Sequence, residues 1–419
     1  MGAADRARAR LVDGLRNSGR VRHAAVEEAF RAVPRHLFLP QVPLARAYAD
    51  EAVAVQSVDG VTTSSASQPS MMAIMLEQLD LRPGHRVLEI GAGTGYNAAL
   101  LARIVGPAGR VVAVDIDPDL IRDAARHLVD AGVRGVELVC GDGALGHPPG
   151  APYDRIMLTV GSGDIRPEWI AQLAPGGRLL LPLELRGTQL SVALDLGRDG
   201  ALHSDSVARC AFVRLRGVGA LHDGGASVGD GLTVVPADGR VIDPELVSAA
   251  LAMPGASRPL PRPLGASDLW DGFGLSLALA ERGTCRLLAA ADTADDPGAA
   301  SELLPVGAGR ATLALLPDRS DHAGLAAVVL DPIADPGAAG PWPVRVRAFG
   351  PTGGAAADRV KAAYEAWAAA GRPTVADLRL SVTEHPGRTP PEPPRGAVAV
   401  DTPHCRVLVR STTTAPGRT

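Results

Sequence analysis

The segment Val87-Leu88-Glu89-Ile90-Gly91-Ala92-Gly93-Thr94-Gly95 joins a short apolar run to a turn of alternating glycines, and a helical pattern through Val105 begins at once behind it. An apolar run bounded by turn signals reads as a buried strand, here Arg86 to Ile90. Glycines directly after such a strand let a ligand approach the backbone, because no Cβ stands in the way. A dinucleotide site would space them G-x-G-x-x-G, with pyrophosphate at the helix N-terminus. Here the spacing is G-A-G-T-G, and Glu89 stands two residues before the first glycine. A carboxylate there repels pyrophosphate and suits the sulfonium and amino groups of S-adenosyl-L-methionine. An NAD-dependent oxidoreductase is the alternative from a different class.

Outward from this turn, apolar runs alternate with helical stretches. Val111–Ile116, Val136–Cys140, Tyr153–Val160 and Arg178–Leu185 read as strands, and Pro118–Ala131 and Pro167–Leu173 as helices. That alternation predicts an α/β fold, a Rossmann-like doubly wound parallel sheet. Leu190–Leu196 and Ala211–Arg216 read as two further strands with no helix between them, which predicts an antiparallel edge. Asp115, followed by Ile116, closes the second strand 24 residues after Gly91, where a carboxylate can accept both ribose hydroxyls. Asp142-Gly143 follows the third strand, placed for the adenine amino group. The candidate cofactor residues are therefore Glu89, Gly91, Ala92, Gly93, Thr94, Gly95, Asp115, Ile116, Asp142 and Gly143.

Residues 5–33 read as helices, with Val26, Ala29, Phe30 and Val33 on one face, and 34–70 as irregular chain ending in a Ser/Thr run. A helix follows from Met71 to Leu79. The Gly, Asp and Ser content at 219–231 predicts a linker. The expected organisation is a methyltransferase domain over 1–218, a C-terminal α+β domain over 232–412 and a frayed tail at 413–419. In the second domain, strand-like runs stand at 312–316, 326–330, 344–349, 378–382, 397–400 and 406–410, with one amphipathic helix at 355–370. The Pro-rich stretch 389–394 reads as a surface loop.

Residues 20–216 resemble protein-L-isoaspartate O-methyltransferases, and the likeness extends beyond the cofactor turn. Val33-Pro34-Arg35-His36-Leu37-Phe38-Leu39-Pro40 and Tyr48-Ala49-Asp50 are similar to that family's substrate-side segment, and Ser67-Gln68-Pro69 to its active-site signature. The resemblance implies methyl transfer from S-adenosyl-L-methionine to a side-chain carboxylate of a peptide or protein bearing aspartate or isoaspartate. Ser67 would then orient the carboxylate, with Ser64, Ser65, Gln68 and Ser70 as substrate contacts. The product ester carries a better leaving group than the acid. The next backbone nitrogen can close a succinimide, whose hydrolysis interconverts aspartyl and isoaspartyl linkages.

Departures fall on the substrate side. The run Thr62–Ser67 is rich in serine, Ser70 replaces an aromatic or histidine, Thr159-Val160-Gly161-Ser162 replaces an alanine-rich segment, and roughly 200 residues follow the family's usual end. These features resemble extended members that accompany lanthipeptide and graspetide maturation, including the FxLD group. The implied target there is an aspartate of a modified ribosomal peptide, against general isoaspartate repair as the alternative.

A net charge of −4 argues against non-specific binding to a phosphate backbone, which needs a clustered basic surface; nearly all the basic charge is Arg, and Lys361 is the only lysine. Cys140, Cys210, Cys285 and Cys405 form no CxxC pair and no zinc spacing, so no metal is expected and the thiols read as reduced. With no apolar leader and no membrane-length run, the sequence predicts a cytoplasmic protein without a membrane partner. His36 reads as a packing residue, His404-Cys405 as a non-site, and Trp270 and Trp342 as core or interface anchors. The oligomeric state is not legible.

Overall fold

The computed structural model describes residues 2–220, 224–229, 231–289, 311–317, 324–330, 340–385 and 392–413. Its centre is a run of parallel strands whose residues are apolar on both faces, the pattern that helices on both sides demand. These are β3 (Arg86–Ile90), β4 (Arg110–Asp115), β5 (Val136–Cys140), β6 (Tyr153–Leu158) and β7 (Leu173–Leu185), numbered after a two-stranded hairpin, β1 (Val53–Val58) and β2 (Val61–Ala66). Val87, Leu88 and Ile90 of β3 are buried, with Ala113, Val114, Ile156 and Met157 in the strands beside them. Spatial order runs β7-β6-β3-β4-β5, so strand order reverses at β3, the topological switch point where open α/β sheets bind ligands.

Helices Ala3–Asn17, Ala24–Ala32, Pro69–Leu79 and Tyr96–Val105 bury their apolar faces against one side of this sheet. The other side is closed by Trp169 of helix Pro167–Ala171, whose indole N–H donates to Gly143 O at 2.9 Å. Helix Pro118–Asp130 begins where Asp117 accepts from the amides of Asp119 and Leu120, with Pro118 in the first turn.

Beyond β7 the sheet turns antiparallel through β8 (Thr188–Leu196) and β9 (Leu202–Arg209). The second edge strand is thus Leu202–Arg209. Ala211–Arg216, expected as that strand, is extended chain joined to Gly161 by an isolated bridge at Arg214. The expected irregular stretch 34–70 contains the short helices Arg35–Phe38 and Leu44–Ala47 and the β1–β2 hairpin, whose second strand is the Ser/Thr run.

The second half divides between two sheets. A seven-stranded sheet comprises β10 (Ala226–Ser227), β11 (Leu232–Pro236), β12 (Pro254–Pro259), β13 (Thr284–Ala289), β14 (Ala311–Leu315), β15 (Leu325–Leu330) and β16 (Val344–Phe349). Helix Gly353–Ala369 covers it and stacks Tyr364 and Trp367 on Phe273, with ring centroids 5.6 and 5.8 Å away. Then β17 (Leu378–Glu384), β18 (Ala397–Asp401) and β19 (Cys405–Ser411) join the first sheet through β9, with Ser381 opposite His203. The residues expected as one α+β domain over 232–412 therefore do not form one sheet system, and the first sheet reaches ten strands. The returning hairpin is clasped by Asp164, which accepts from Thr402 Oγ1 at 2.5 Å and from the His404 amide at 3.0 Å.

Part of the expected linker, residues 221–223 and 230, lies outside the described residues, and its Ala226–Ser227 pairs with β11. Residues 389–391 of the Pro-rich stretch and 414–419 of the tail also lie outside them. Among the described residues no helix is long and apolar enough to cross a membrane, and no group of three His, Cys, Asp or Glu side chains could hold a metal. All four cysteines are unpaired.

Candidate active site

At the carboxyl end of β3 the chain enters left-handed backbone at Gly91 (φ +101°) and Gly93 (φ +50°), pinned to β4 by amide bonds from Gly91 and Ala92 to Val114 O. A Cβ on Gly91 would lie 2.7 Å from Thr159 Oγ1 and 2.9 Å from Val160 Cγ1, so this glycine permits the close meeting of the β3 and β6 ends. Thr159 Oγ1 donates to Gly91 O at 2.6 Å and locks that meeting.

These strand ends floor a cavity of about 790 Å³, its open mouth included. Glu89 lies wholly buried at its base. One carboxyl oxygen accepts from Asn97 Nδ2 at 2.9 Å; the other has no partner, and neither has Asn97 Oδ1. Burial raises the Glu89 pKa to about 8, the Asn97 bond opposing and the nearby Asp115 charge adding to the rise. Two unpartnered buried acceptors facing one cavity are costly unless a cationic donor joins them.

Asp115 sits at the tip of β4, accepting from the Gly93 amide at 2.9 Å and the Asp117 amide at 3.1 Å, with Arg216 Nη2 at 3.7 Å. Each carboxylate oxygen accepts more than one hydrogen bond, so a diol can still be held. Ile116, Leu120, Leu215 and Gly143 supply apolar walls and backbone beside it. A Cβ on Gly143 would lie 2.4 Å from Ile90 Cγ2.

Of the expected cofactor residues, Glu89, Gly91, Ala92, Gly93, Thr94, Asp115, Ile116 and Gly143 line this cavity. Gly95 and Asp142 do not. Gly95 packs against helix Pro118–Asp130, where a Cβ would meet Ala124 Cβ at 3.2 Å. Asp142 stands outside the lining, where one carboxylate oxygen accepts from the Ala144 amide and the other from the Val218 amide, at 2.9 Å each.

On the substrate side, Ser64, Ser65 and Ser67 line the cavity and Gln68 and Ser70 do not. Gln68 Nε2 donates to Asp50 O, and the Ser70 amide donates to the Asp50 carboxylate at 2.8 Å, so both knit the helix start to residue 50. Arg35 joins the site from the N-terminal segment. It is fully buried, donates to Ala47 O at 3.0 Å and Ser67 O at 3.0 Å, and lies 5.1 Å from the Tyr96 ring centroid. Burial pulls its pKa below the usual arginine value, but three carbonyls keep it solvated by the protein.

Sequence reasoning assigned no site role to Arg35, Asn97 or the returning segment Val213–Arg216. Arg35 had a signal, a lone cation inside an apolar run. Asn97 had a weaker one, eight residues past Glu89 on the helix that follows the turn. The segment 213–216 had none, because its approach is made by the amides of Gly161 and Leu215, which pair with Val213 O and Gly161 O at 2.8 Å.

The family model of protein-L-isoaspartate(D-aspartate) O-methyltransferase matches residues 6–219. The protein-L-isoaspartate O-methyltransferase of Methanopyrus kandleri is 43% identical over 213 residues, 51% of this chain and 92% of the relative. That of Hyperthermus butylicus is 40% identical over 219 residues, 50% of this chain and 89% of its own. A solved structure of a protein-L-isoaspartate O-methyltransferase is 24% identical, spans 89% of this chain and 96% of that one, and has a TM-score of 0.49. The glycine turn, the acids at the strand tips and the serine strand all lie inside the matched half, and this chain belongs to the protein-L-isoaspartate(D-aspartate) O-methyltransferase family.

Proposed function

We propose that this chain transfers a methyl group from S-adenosyl-L-methionine to the side-chain carboxylate of an aspartyl or isoaspartyl residue in a peptide. The observation that carries the reading is one cavity with two chemically different walls. The buried Glu89 and Asn97 acceptors line it on one side, and Ser64, Ser65 and Ser67 of the serine-rich segment line it as well. The acceptors suit the ammonium end of the donor, Asp115 suits its ribose, and Ile116, Leu120 and Leu215 suit its base. The bound donor supplies an electrophilic methyl on positively charged sulfur.

The protein's own task is alignment. A substrate carboxylate is ionised at neutral pH, so no general base is required. Ser67 gives it a hydroxyl to point at, and Arg35 fixes Ser67 by gripping its carbonyl. Met72 and Val160 keep that corner apolar, which strips water from the reacting oxygen.

The finer reading is that the peptide is a modified ribosomal precursor, in the manner of lanthipeptide and graspetide maturation. It is supported by the serine-rich β2 and by the second sheet beyond the matched half. General repair of isoaspartyl proteins is the second reading, favoured by the 43% identity to the protein-L-isoaspartate O-methyltransferase of Methanopyrus kandleri over 92% of that relative. The unpaired thiols suit a reducing cytoplasm. Mass spectrometry decides between the readings. Purified enzyme and donor are incubated with unrelated isoaspartyl peptides and with a cyclised aspartate-containing precursor. Gain of one methyl on the unrelated set supports repair, gain confined to the precursor supports maturation, and gain on neither ends the proposal.

A further inference from the structure

A second cavity of about 950 Å³ lies where the β7–β8 hairpin of the first sheet meets β13 and the Asp268–Ala280 helical segment. Four guanidiniums line it, from Arg186, Arg209, Arg214 and Arg286, against one carboxylate, Glu184. Carboxylates occupy only part of this charge. Arg214 Nε lies 3.4 Å from Glu184, and Arg209 Nη1 is 3.1 Å from Asp271 Oδ1.

The other two arginines form no ion pair among the described residues, although the Glu184 charge partly offsets the fall in the Arg286 pKa. Arg286 donates to the Thr188 hydroxyl at 3.3 Å and lies 5.6 Å from the Trp270 ring centroid. Burial, and then the neighbouring Arg209 charge, push its pKa below the arginine norm. Arg186 keeps a buried Nε with no hydrogen-bond partner. It also holds a left-handed turn position (φ +48°), which favours glycine or asparagine. Crowded, desolvated guanidiniums are costly unless an anion joins them, and their planar forks match carboxylates.

This cavity adjoins the methyl-transfer site. Arg214 lines both, Val213 faces the first, and Ala211 and Phe212 face the second. Gln189 clamps this dividing segment, accepting from the Phe212 amide at 2.6 Å and donating to Phe212 O at 3.3 Å. A polypeptide reaching past the segment with its reactive residue in one cavity would lay its neighbours in the other.

We propose that the arginine-lined cavity binds acidic side chains flanking the methylated residue, so that the enzyme selects peptides rich in Asp and Glu. This rests on the methyl-transfer reading above and names its substrate class. The test uses two synthetic isoaspartyl peptides, identical except that flanking Asp and Glu in one are Asn and Gln in the other. Wild-type enzyme should show a KM for the acidic peptide roughly ten-fold below that for the neutral one, with kcat alike. Arg286→Gln and Arg186→Gln should each shrink that ratio towards one, as should high salt. A ratio near one in the wild type, or a ratio kept in both variants, overturns the proposal. If Arg286→Gln loses its folding transition, Arg186→Gln, at the hairpin turn, carries the result. If neither peptide is methylated, the methyl-transfer reading fails. Equilibrium binding of the fluorescently labelled acidic peptide to wild type and Arg186→Gln then still decides the cavity: binding lost in the variant supports it, equal or absent binding sinks it.

Discussion

Replacing Glu89 by Gln tests the base of the methyl-transfer cavity through proton linkage. Burial lifts the Glu89 carboxyl from about 4.5 to about 8. Between those values the folded protein binds a proton that the unfolded chain has released, so this group's contribution to stability falls as pH rises. Full stability is present below about pH 4.5, and the loss runs up to about pH 8. From pH 6 to 8 the loss amounts to about 2 kcal/mol, a little under the ~1.4 kcal/mol per unit because ionisation is half complete at the top. Glutamine keeps the acceptor for Asn97 Nδ2 and does not ionise, so the variant should escape that loss. Urea denaturation of ligand-free protein at pH 6 and pH 8 reads the difference. Binding should move the other way. The cationic end of the donor favours ionised Glu89, so wild-type protein should release close to one proton on binding adenosylhomocysteine near neutral pH. The variant should lose about 10- to 150-fold in affinity, the worth of a hydrogen bond to a charged group. Parallel stability profiles for the two proteins, together with affinities within about two-fold, would refute both the buried-acid account and the ammonium contact.

Asp115→Ala should weaken adenosylhomocysteine binding by roughly 100-fold in calorimetry, since two charge-assisted bonds are lost; unchanged affinity removes Asp115 from the ribose site. Ser67→Ala should lower kcat by roughly 10- to 100-fold while leaving cofactor affinity alone, and equal losses in both would contradict an orienting role. Arg35→Lys, without the planar fork that spans Ala47 and Ser67, should cost about 3 kcal/mol in urea denaturation and lower kcat with it. Full stability in that variant would deny the clamp. Asp164→Ala should speed hydrogen exchange in residues 397–411 and leave the parallel strands protected, whereas uniform change across the sheet would show that no local clasp exists.

The parallel strands were legible because each is a short apolar run between turn residues, and burial on both faces leaves no polar alternation to confuse with a helix. The glycine turn was legible for the same reason, since its chemistry is local. Leu202–Arg209 and Ala211–Arg216 are hard to tell apart as the edge strand because Leu202, Val207 and Leu215 are similar apolar signals, and only the pairing with β8 separates them. The β1–β2 hairpin is hard to read because Thr62–Ser65 carries almost no apolar alternation; it pairs by its backbone, and Thr63 Oγ1 donates to Gln56 Oε1 across it at 3.1 Å. Asp142 reads as a ligand in the sequence because an acid after a strand can serve either a ligand or the backbone. Here two amides compete for it, and no local pattern announces the one from Val218, 76 residues away.

The partition of the second half has a physical consequence. The seven-stranded sheet begins after β9 and ends before β17, which pairs with β9 itself, so it is inserted into the first sheet's edge and is not appended to its end. Both connections of an insertion are anchored, which lowers the freedom of the inserted unit compared with a domain on a single linker. Leu275 packs into the core beneath the first sheet and Arg286 reaches Thr188, so side chains cross the seam as well. At this seam the Arg209 charge bears on buried Arg286 even though Arg209 and Arg214 have carboxylates beside them, and a seam free to open would relieve that by letting water in. Anchoring on both sides keeps the guanidiniums together and half-buried, and so turns their repulsion into affinity for a carboxylate-bearing chain.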